Sequence, residues 1–128
     1  MKEIVINKGR WTYLDHYVGG EPFQGFEVVW LRDTPVWSMS YRGYWQAKEN
    51  YKEMLSFAKK ALNVPPTDAP WRGPKLFVTR EMPEWRYTNR WKGDITEFSG
   101  LEKIHYRRKE IGWTAYQGGL VNRRHAYI

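Results

Sequence analysis

Residues 11–19 read WTYLDHYVG and residues 85–93 read WRYTNRWKG, and this repeated pattern decides the fold. The match continues downstream in the same order, with one inserted residue: FQGFE at 23–27 against FSGLE at 98–102, and YRG at 41–43 against YQG at 116–118. A collinear set of matches arises by chance far less often than a single match. We therefore interpret the chain as two copies of a three-strand unit, at about 10–43 and about 84–119.

Both copies have the alternation of side chains that is typical of β-strands. Successive side chains of a strand point to opposite faces, so residues two apart share a face. One face of the first strand therefore carries Trp11, Tyr13, Asp15 and Tyr17, and the matching strand carries Trp85, Tyr87, Asn89 and Trp91. The other strands are predicted near residues 26–31, 35–41, 76–80, 95–107 and 111–117.

An amphipathic helix is predicted between the two copies, over residues 46–62. Its apolar stripe has helical spacing and consists of Ala47, Tyr51, Met54, Leu55, Ala58, Ala61 and Leu62. Prolines follow directly after the stripe and end the helix. Residues 63–75 contain Pro65, Pro66, Pro70 and Pro74 and are predicted to form a stiff connector. The stripe indicates packing against the sheet, and a partner-binding groove is the alternative.

These elements predict a single α+β domain over residues 1–128. Its architecture is a curled antiparallel β-sheet of six or seven strands around one central helix, because a single amphipathic helix has to bury its stripe against another layer. The two three-strand repeats would be related by a pseudo-twofold axis. A ligand is expected on the concave face of the sheet or where the repeats meet.

Composition excludes several classes of protein. The chain has no cysteine, which excludes a disulfide framework, a thiolate nucleophile and cysteine-ligated metal sites. Residues 1–20 lack the apolar segment of a signal peptide, and no apolar run reaches the roughly 20 residues of a membrane span, so we expect a cytoplasmic protein without a membrane partner. The formal charge of +7, most of it in residues 65–128, favours an anionic partner, although such a charge also serves solubility alone.

From residue 11 to about residue 121 the sequence resembles an uncharacterised family, the domain of unknown function DUF5680. The resemblance is carried by YLDHYVGG at 13–20, FQGFEVVW at 23–30, PVWSMSYRG at 35–43, RGP at 72–74, GD at 93–94, FSGLE at 98–102 and GGL at 118–120. The domain type resembles one that follows helix-turn-helix modules in regulators, which would imply a ligand-sensing unit. The family has no established catalytic residues, so the resemblance implies no chemistry.

The aromatic face with its embedded polar residues is the leading candidate for a ligand site. Rigid aromatic walls with a few polar groups suit a base, a sugar or another planar ligand. The predicted ligand-binding residues are Trp11, Tyr13, Asp15, Tyr17, Glu27, Trp37, Tyr41, Trp85, Tyr87, Asn89, Glu102 and Tyr116. The alternative is that Asp15 and Asn89 only hydrogen-bond turn backbone or a tyrosine hydroxyl inside the core.

Two acidic residues occupy matching positions in the two copies. Glu27 and Glu102 each lie two residues after a glycine. Paired carboxylates can act as general acid and base, but paired positions in a duplication can equally be two structural acceptors. The sequence leaves both interpretations open because no spacing reports the distance between the two side chains.

Basic residues form a second pattern on the strand at 85–92. Arg86, Arg90 and Lys92 alternate on the face opposite the aromatic side chains, and together with Arg72 they are the predicted anion-binding residues. A solvent-facing sheet surface shows the same alternation. The histidines at 16, 105 and 125 lack metal-ligand spacing and no cofactor motif is present, so neither a metal nor a cofactor is predicted.

The leading functional hypothesis is a non-catalytic binding module for a small anionic or nucleotide-like ligand, used for sensing or sequestration. A single-stranded nucleic acid bound across a basic, aromatic sheet face is the first alternative. A small enzyme using paired carboxylates is the second, and a protein–protein antagonist of a host defence or toxin system is the third. A homodimer is compatible with each of these functions.

Overall fold

Eight β-strands and one helix make up the protein in the computed structural model, which describes residues 1–46 and 50–122. Their bounds are β1 Lys2–Lys8, β2 Trp11–Gly19, β3 Phe23–Leu31, β4 Thr34–Trp45, α1 Tyr51–Leu62, β5 Leu76–Phe77, β6 Trp85–Asp94, β7 Glu97–Tyr106 and β8 Lys109–Leu120. All eight strands belong to one sheet and every neighbouring pair is antiparallel. The predicted α+β class with a curled antiparallel sheet is confirmed.

The strand order divides the sheet into two halves of four strands. From edge to edge the order is β1-β2-β3-β4-β8-β7-β6-β5. Each half is a meander in which strands adjacent in sequence pair with one another, because short turns join antiparallel neighbours. The halves meet where β4 pairs with β8, and Tyr41 lies directly opposite Tyr116 in that pair.

The sheet has two differences from the predicted strands. The edge strand β1 was not predicted, and all its residues are exposed, so it has no buried side for a hydrophobic pattern to mark. The strand predicted at 76–80 is reduced to the two residues Leu76 and Phe77. Eight strands therefore replace the six or seven predicted from the sequence.

The helix is shorter than predicted. It begins at Tyr51 rather than at residue 46, because β4 continues to Trp45 along its partner β8. The predicted stripe residue Ala47 lies outside the described residues. Phe57, which the stripe did not include, is fully buried, whereas the predicted stripe residue Tyr51 is exposed.

The hydrophobic core lies on one face of the sheet and mostly against its second half. One cluster joins α1 to the sheet and consists of Met54, Phe57, Ala58, Ala61, Trp85, Tyr87 and Ile104. A second cluster lies where the connector, residues 63–75, crosses the centre of the sheet, and consists of Met39, Tyr41, Ala69, Trp71, Phe98 and Tyr116. The same face of β1 and β2 stays uncovered at Ile4, Ile6 and Trp11, all of which are exposed.

Candidate functional site

The twelve predicted ligand-binding residues all lie on one face of the sheet, here called the aromatic face. Directly opposite residues of an antiparallel pair project to the same face. The pairs Asp15–Glu27 and Asn89–Glu102 therefore share a face, and Tyr41–Tyr116 joins them across the centre. Alternation along each strand places the remaining predicted aromatics on that same face.

In the second half of the sheet, these residues form a closed, buried hydrogen-bonded cluster. We call it the closed site, consisting of Tyr87, Asn89, Glu102 and Tyr116 together with Arg72 and Gly73 of the connector. Glu102 is 3% exposed and Asn89 is 1% exposed. The Tyr87 hydroxyl donates to Glu102 Oε2, and the Tyr116 hydroxyl donates to Asn89 Oδ1 at 2.7 Å.

The connector completes the closed site. Arg72 donates from Nε and Nη2 to Glu102 Oε1, at 2.7 and 2.6 Å. The Gly73 carbonyl accepts from Asn89 Nδ2 at 2.9 Å, and the Gly73 N–H donates to the Tyr87 hydroxyl at 3.2 Å. Burial lowers the pKa of Arg72, but Glu102, Tyr87 and Glu27 together raise it by more, so the pKa lies above its usual value and the guanidinium stays charged.

In the first half, the corresponding face carries a cluster that the connector contacts at Tyr41, where Arg72 lies over the ring, and leaves open at Trp11. We call it the open site, consisting of Trp11, Tyr13, Asp15, Glu27 and Tyr41. The Tyr13 hydroxyl donates to Glu27 Oε1 at 2.6 Å, and the Tyr41 hydroxyl donates to Asp15 Oδ1 at 2.6 Å. Asp15 and Glu27 are half-buried, and Trp11 is 45% exposed. The open site is therefore ordered by its own hydrogen bonds and still reaches solvent.

The carboxylates of the open site have no cation bound to them by the described part of the chain. None of the ion pairs found among the described residues includes Asp15 or Glu27. Burial raises the pKa of Glu27 above its usual value of 4.5, and the charges of Asp15 and Glu102 add to the increase. The Tyr13 hydrogen bond and the more distant Arg72 charge lower that pKa but do not cancel the effect.

The tyrosine hydroxyls of the open site are fixed as donors. Burial raises the pKa of Tyr13, and nearby Glu27 and Asp15 raise it further. Burial, followed by the hydrogen bond to Asp15, raises the pKa of Tyr41 in the same way. Both hydroxyls therefore stay protonated at neutral pH and donate to the carboxylates, whose other oxygens remain acceptors.

Three of the four predicted anion-binding residues lie on the face opposite the aromatic face. Arg86, Arg90 and Lys92 are exposed on the opposite face of β6, as their alternation with Tyr87 and Asn89 requires. Arg72 lies on the aromatic face, but its charge is bound to Glu102. Glu102 is likewise engaged, so the two glutamates do not present two free carboxylates to one open cleft.

Two lysines that the sequence analysis missed flank the open site. Lys2 lies opposite Tyr17 and Lys8 lies opposite Trp11, so both project to the aromatic face at the two ends of β1. Both lysines are exposed. The signal was present in KEIVINK at 2–8, where lysine and isoleucine alternate with other residues, but only the pairing with β2 shows which face they occupy.

A broad groove lies on the opposite face of the sheet. Its volume is about 1000 Å³, and its lining includes Phe26, Ser38, Ser40, Lys92, Ser99 and Gln117. A neighbouring hollow of about 450 Å³ is lined in part by His16, Val18 and Arg42. This face is polar at its centre and carries the exposed basic residues of β6 at its side.

Residues 1–46 and 50–122 contain neither a metal-binding cluster nor a membrane-spanning helix. Within these ranges, no group of three or more His, Asp or Glu side chains is arranged to hold a metal ion. No helix in the same ranges has both the length and the apolar character that crossing a membrane requires. His125 and the basic residues beside it lie outside the described part.

Comparison with known proteins identifies one family. The family model of a domain of unknown function, DUF5680, matches residues 15–121. The match includes both clusters except Trp11 and Tyr13, which precede it. No curated protein and no solved structure matches the chain.

Proposed function

We propose that this chain, which belongs to the DUF5680 family of domains of unknown function, is a non-catalytic binding module for a nucleotide-like ligand. The observation that carries the proposal is the open site, where two half-buried carboxylates lie among aromatic side chains and form no ion pair with a cation of residues 1–46 and 50–122. Partly buried charges are costly unless they are paired or hydrogen-bonded. Tyr13 and Tyr41 each donate one hydrogen bond to this pair, and a ligand that donates to the other oxygens of Asp15 and Glu27 would stabilise their charge further.

The aromatic residues of the open site support a planar ligand. Trp11 is exposed at the start of β2, and Tyr13 lies two residues further along the same face. Every nucleobase has a π-face, so stacking on such a side chain stabilises a bound base by about 1–3 kcal/mol. The base would lie against Trp11 with its polar edge towards the carboxylates.

The lysines of β1 support the anionic part of such a ligand. Lys2 and Lys8 occupy the two ends of the edge strand on the aromatic face. An ammonium group binds phosphate as a point charge and needs no fixed geometry. The phosphate of a nucleotide at the open site would therefore lie near Lys2 or Lys8 of β1. The polar edge of its base would contact Asp15 and Glu27.

Binding without turnover fits this arrangement better than catalysis by the two predicted glutamates. Glu102 is buried against Arg72 and Tyr87, so it has neither access to a substrate nor freedom to exchange a proton. Glu27 accepts a hydrogen bond from Tyr13 and adjoins Asp15. A module of this kind would sense or sequester its ligand.

Nucleotide binding can be measured by the quenching of tryptophan fluorescence during titration with nucleoside monophosphates. We expect saturable quenching, and we expect Trp11→Ala to weaken binding by about tenfold or more, the loss of one stacking contact. The control is Phe26→Ala, because Phe26 is 43% exposed and lies on the opposite face. The proposal fails if no nucleotide binds, or if F26A and W11A weaken binding equally.

A second candidate function, binding of single-stranded nucleic acid, is favoured by the groove on the opposite face. That groove contains Lys92 and the exposed ring of Phe26, and Arg86 and Arg90 project from the same face of β6. Stacking on an aromatic ring beside a basic track is how many proteins bind single strands without sequence preference.

The salt dependence of oligonucleotide binding tests this second function. We expect the affinity for a labelled single strand to fall as salt rises, with a log–log slope of about −0.7 for each phosphate contact. The triple variant R86A/R90A/K92A should flatten that slope by about 2, whereas W11A should leave it unchanged. Affinity independent of salt, or a slope insensitive to the triple variant, would exclude this face.

A further inference from the structure

We infer that the open site takes a planar group with two adjacent N–H donors, the donor pattern shared by a guanine base and a guanidinium group. The inference rests on the proposed function, since it concerns the ligand of the same site. It is argued from the closed site, in which the chain fills a corresponding cluster with its own Arg72 and Gly73.

The first correspondence between the two sites is a tyrosine–glutamate hydrogen bond. Tyr13 donates to Glu27 in the open site, and Tyr87 donates to Glu102 in the closed site. In each case the tyrosine lies on the second strand from the edge of the sheet and the glutamate on the third. These are also the matching positions of the repeated sequence.

The second correspondence is a hydrogen bond from the central strands. Tyr41 of β4 donates to Asp15, and Tyr116 of β8 donates to Asn89. Each of these tyrosines lies directly opposite a glycine, Gly25 or Gly100. A Cβ on either glycine would clash with the tyrosine hydroxyl. The absence of a side chain at these positions therefore lets each tyrosine ring lie across its neighbouring strand. The two sites are therefore built to one plan.

The closed site shows which groups this arrangement of tyrosines and polar side chains binds. A guanidinium uses two of its N–H groups on Glu102, and a backbone carbonyl accepts from the Asn89 amide. Glu27 accepts from Tyr13 as Glu102 accepts from Tyr87, but no guanidinium of the described residues donates to Glu27. A pair of N–H donors on the ligand would bind the Glu27 carboxylate as Nε and Nη2 of Arg72 bind that of Glu102.

The substitution of Asp15 for Asn89 makes the open site more selective. Asn89 both accepts from Tyr116 and donates to the Gly73 carbonyl. An ionised aspartate has no N–H to donate, so Asp15 can only accept. The ligand of the open site must therefore present a further donor where the closed site presents a carbonyl. The second N2–H of guanine, or a third N–H of a guanidinium, can donate to Asp15 while the donor pair binds Glu27.

Chemistry narrows the ligand class further. The Watson–Crick edge of guanine presents N1–H and N2–H₂ side by side, and a guanidinium presents two parallel N–H groups to a carboxylate in the same way. The corresponding edge of adenine has one amino donor beside the N1 acceptor, which would face a carboxylate oxygen. Guanine and guanidino compounds are two sources of one donor pattern, and adenine lacks it.

Calorimetric titration of the whole chain with GMP, AMP and agmatine distinguishes a guanine ligand from a guanidino ligand. AMP serves as the nucleotide that lacks the donor pair. We expect GMP or agmatine to bind at least about tenfold tighter than AMP, the discrimination that a paired hydrogen bond supports. Both Glu27→Gln and Asp15→Asn should reduce that preference by about tenfold, because each replaces an acceptor oxygen with an amide donor. Both variants keep an oxygen to accept from the tyrosine, and circular dichroism verifies that they fold.

The control is Glu97→Gln, since Glu97 is exposed and borders the groove on the opposite face. Equal affinities for GMP and AMP, unchanged in E27Q, would overturn the inference while leaving the proposed function standing. Agmatine binding without any nucleotide binding would support the inference and overturn the nucleotide proposal. Binding of neither GMP nor agmatine would overturn the inference.

Discussion

Replacement of Arg72 by methionine is expected to lower the free energy of unfolding by about 3–5 kcal/mol, because it leaves a buried charge without its partner. Nε and Nη2 of Arg72 both bind Glu102, which is 3% exposed. Methionine retains part of the apolar volume of the arginine stem, so the loss reports mainly the charge. Urea unfolding at neutral pH measures the effect.

Two companion variants make this measurement specific. Arg90→Met removes an exposed arginine from β6 and should change stability by no more than about 0.5 kcal/mol. The double variant R72M/E102M should recover much of the loss, since a buried ion pair replaced by apolar side chains is often close to neutral. If R72M lowered the free energy of unfolding by less than about 1 kcal/mol, Arg72 of the connector would not be what neutralises Glu102.

Replacement of Trp85 by alanine is expected to cost about 3–5 kcal/mol, because it opens a cavity beneath α1. Trp85 is 1% exposed, and its ring lies 5.9 Å from that of Phe57 and 4.7 Å from that of Tyr106. These contacts hold the helix against the second half of the sheet. Thermal and urea unfolding should both report the loss.

The chain itself provides the matched control, Trp11→Ala. Trp11 is the first residue of β2, as Trp85 is of β6, yet it is 45% exposed. We expect W11A to change stability by less than about 1 kcal/mol while it weakens ligand binding. Similar stability losses in W11A and W85A would mean that the first half of the sheet is covered as the second is.

The alternation of side chains made the aromatic face predictable. The pattern WTYLDHY places Tyr13 and Asp15 on one face, and the register shows that Glu27 lies beside Asp15 on it. Period-two patterning works here because a half-covered sheet needs different residues on its two faces. The same patterning located Arg86 and Arg90 on the opposite face.

The role of the connector was not predictable, although its prolines were visible. Arg72 is 30 positions from Glu102 in sequence, and no spacing rule links an arginine in a loop to a glutamate in a strand. Strand β1 escaped prediction for a related reason, since its isoleucines belong to an exposed edge strand and only the pairing with β2 shows which face they occupy. Both features depend on which surfaces are adjacent after folding.

The sequence by itself determined that Trp11 and Trp85 begin equivalent strand patterns, with tyrosine and a small polar residue following on the same face. Local alternation is enough for that conclusion because strand geometry has a fixed period. Only the tertiary structure decided that α1 and the connector cover the second pattern, which gives one tryptophan to the core and leaves the other in solvent. The reason is that, within residues 1–46 and 50–122, one amphipathic helix and one Arg-Gly connector lie between the two sheet halves, and they pack mostly on the second half.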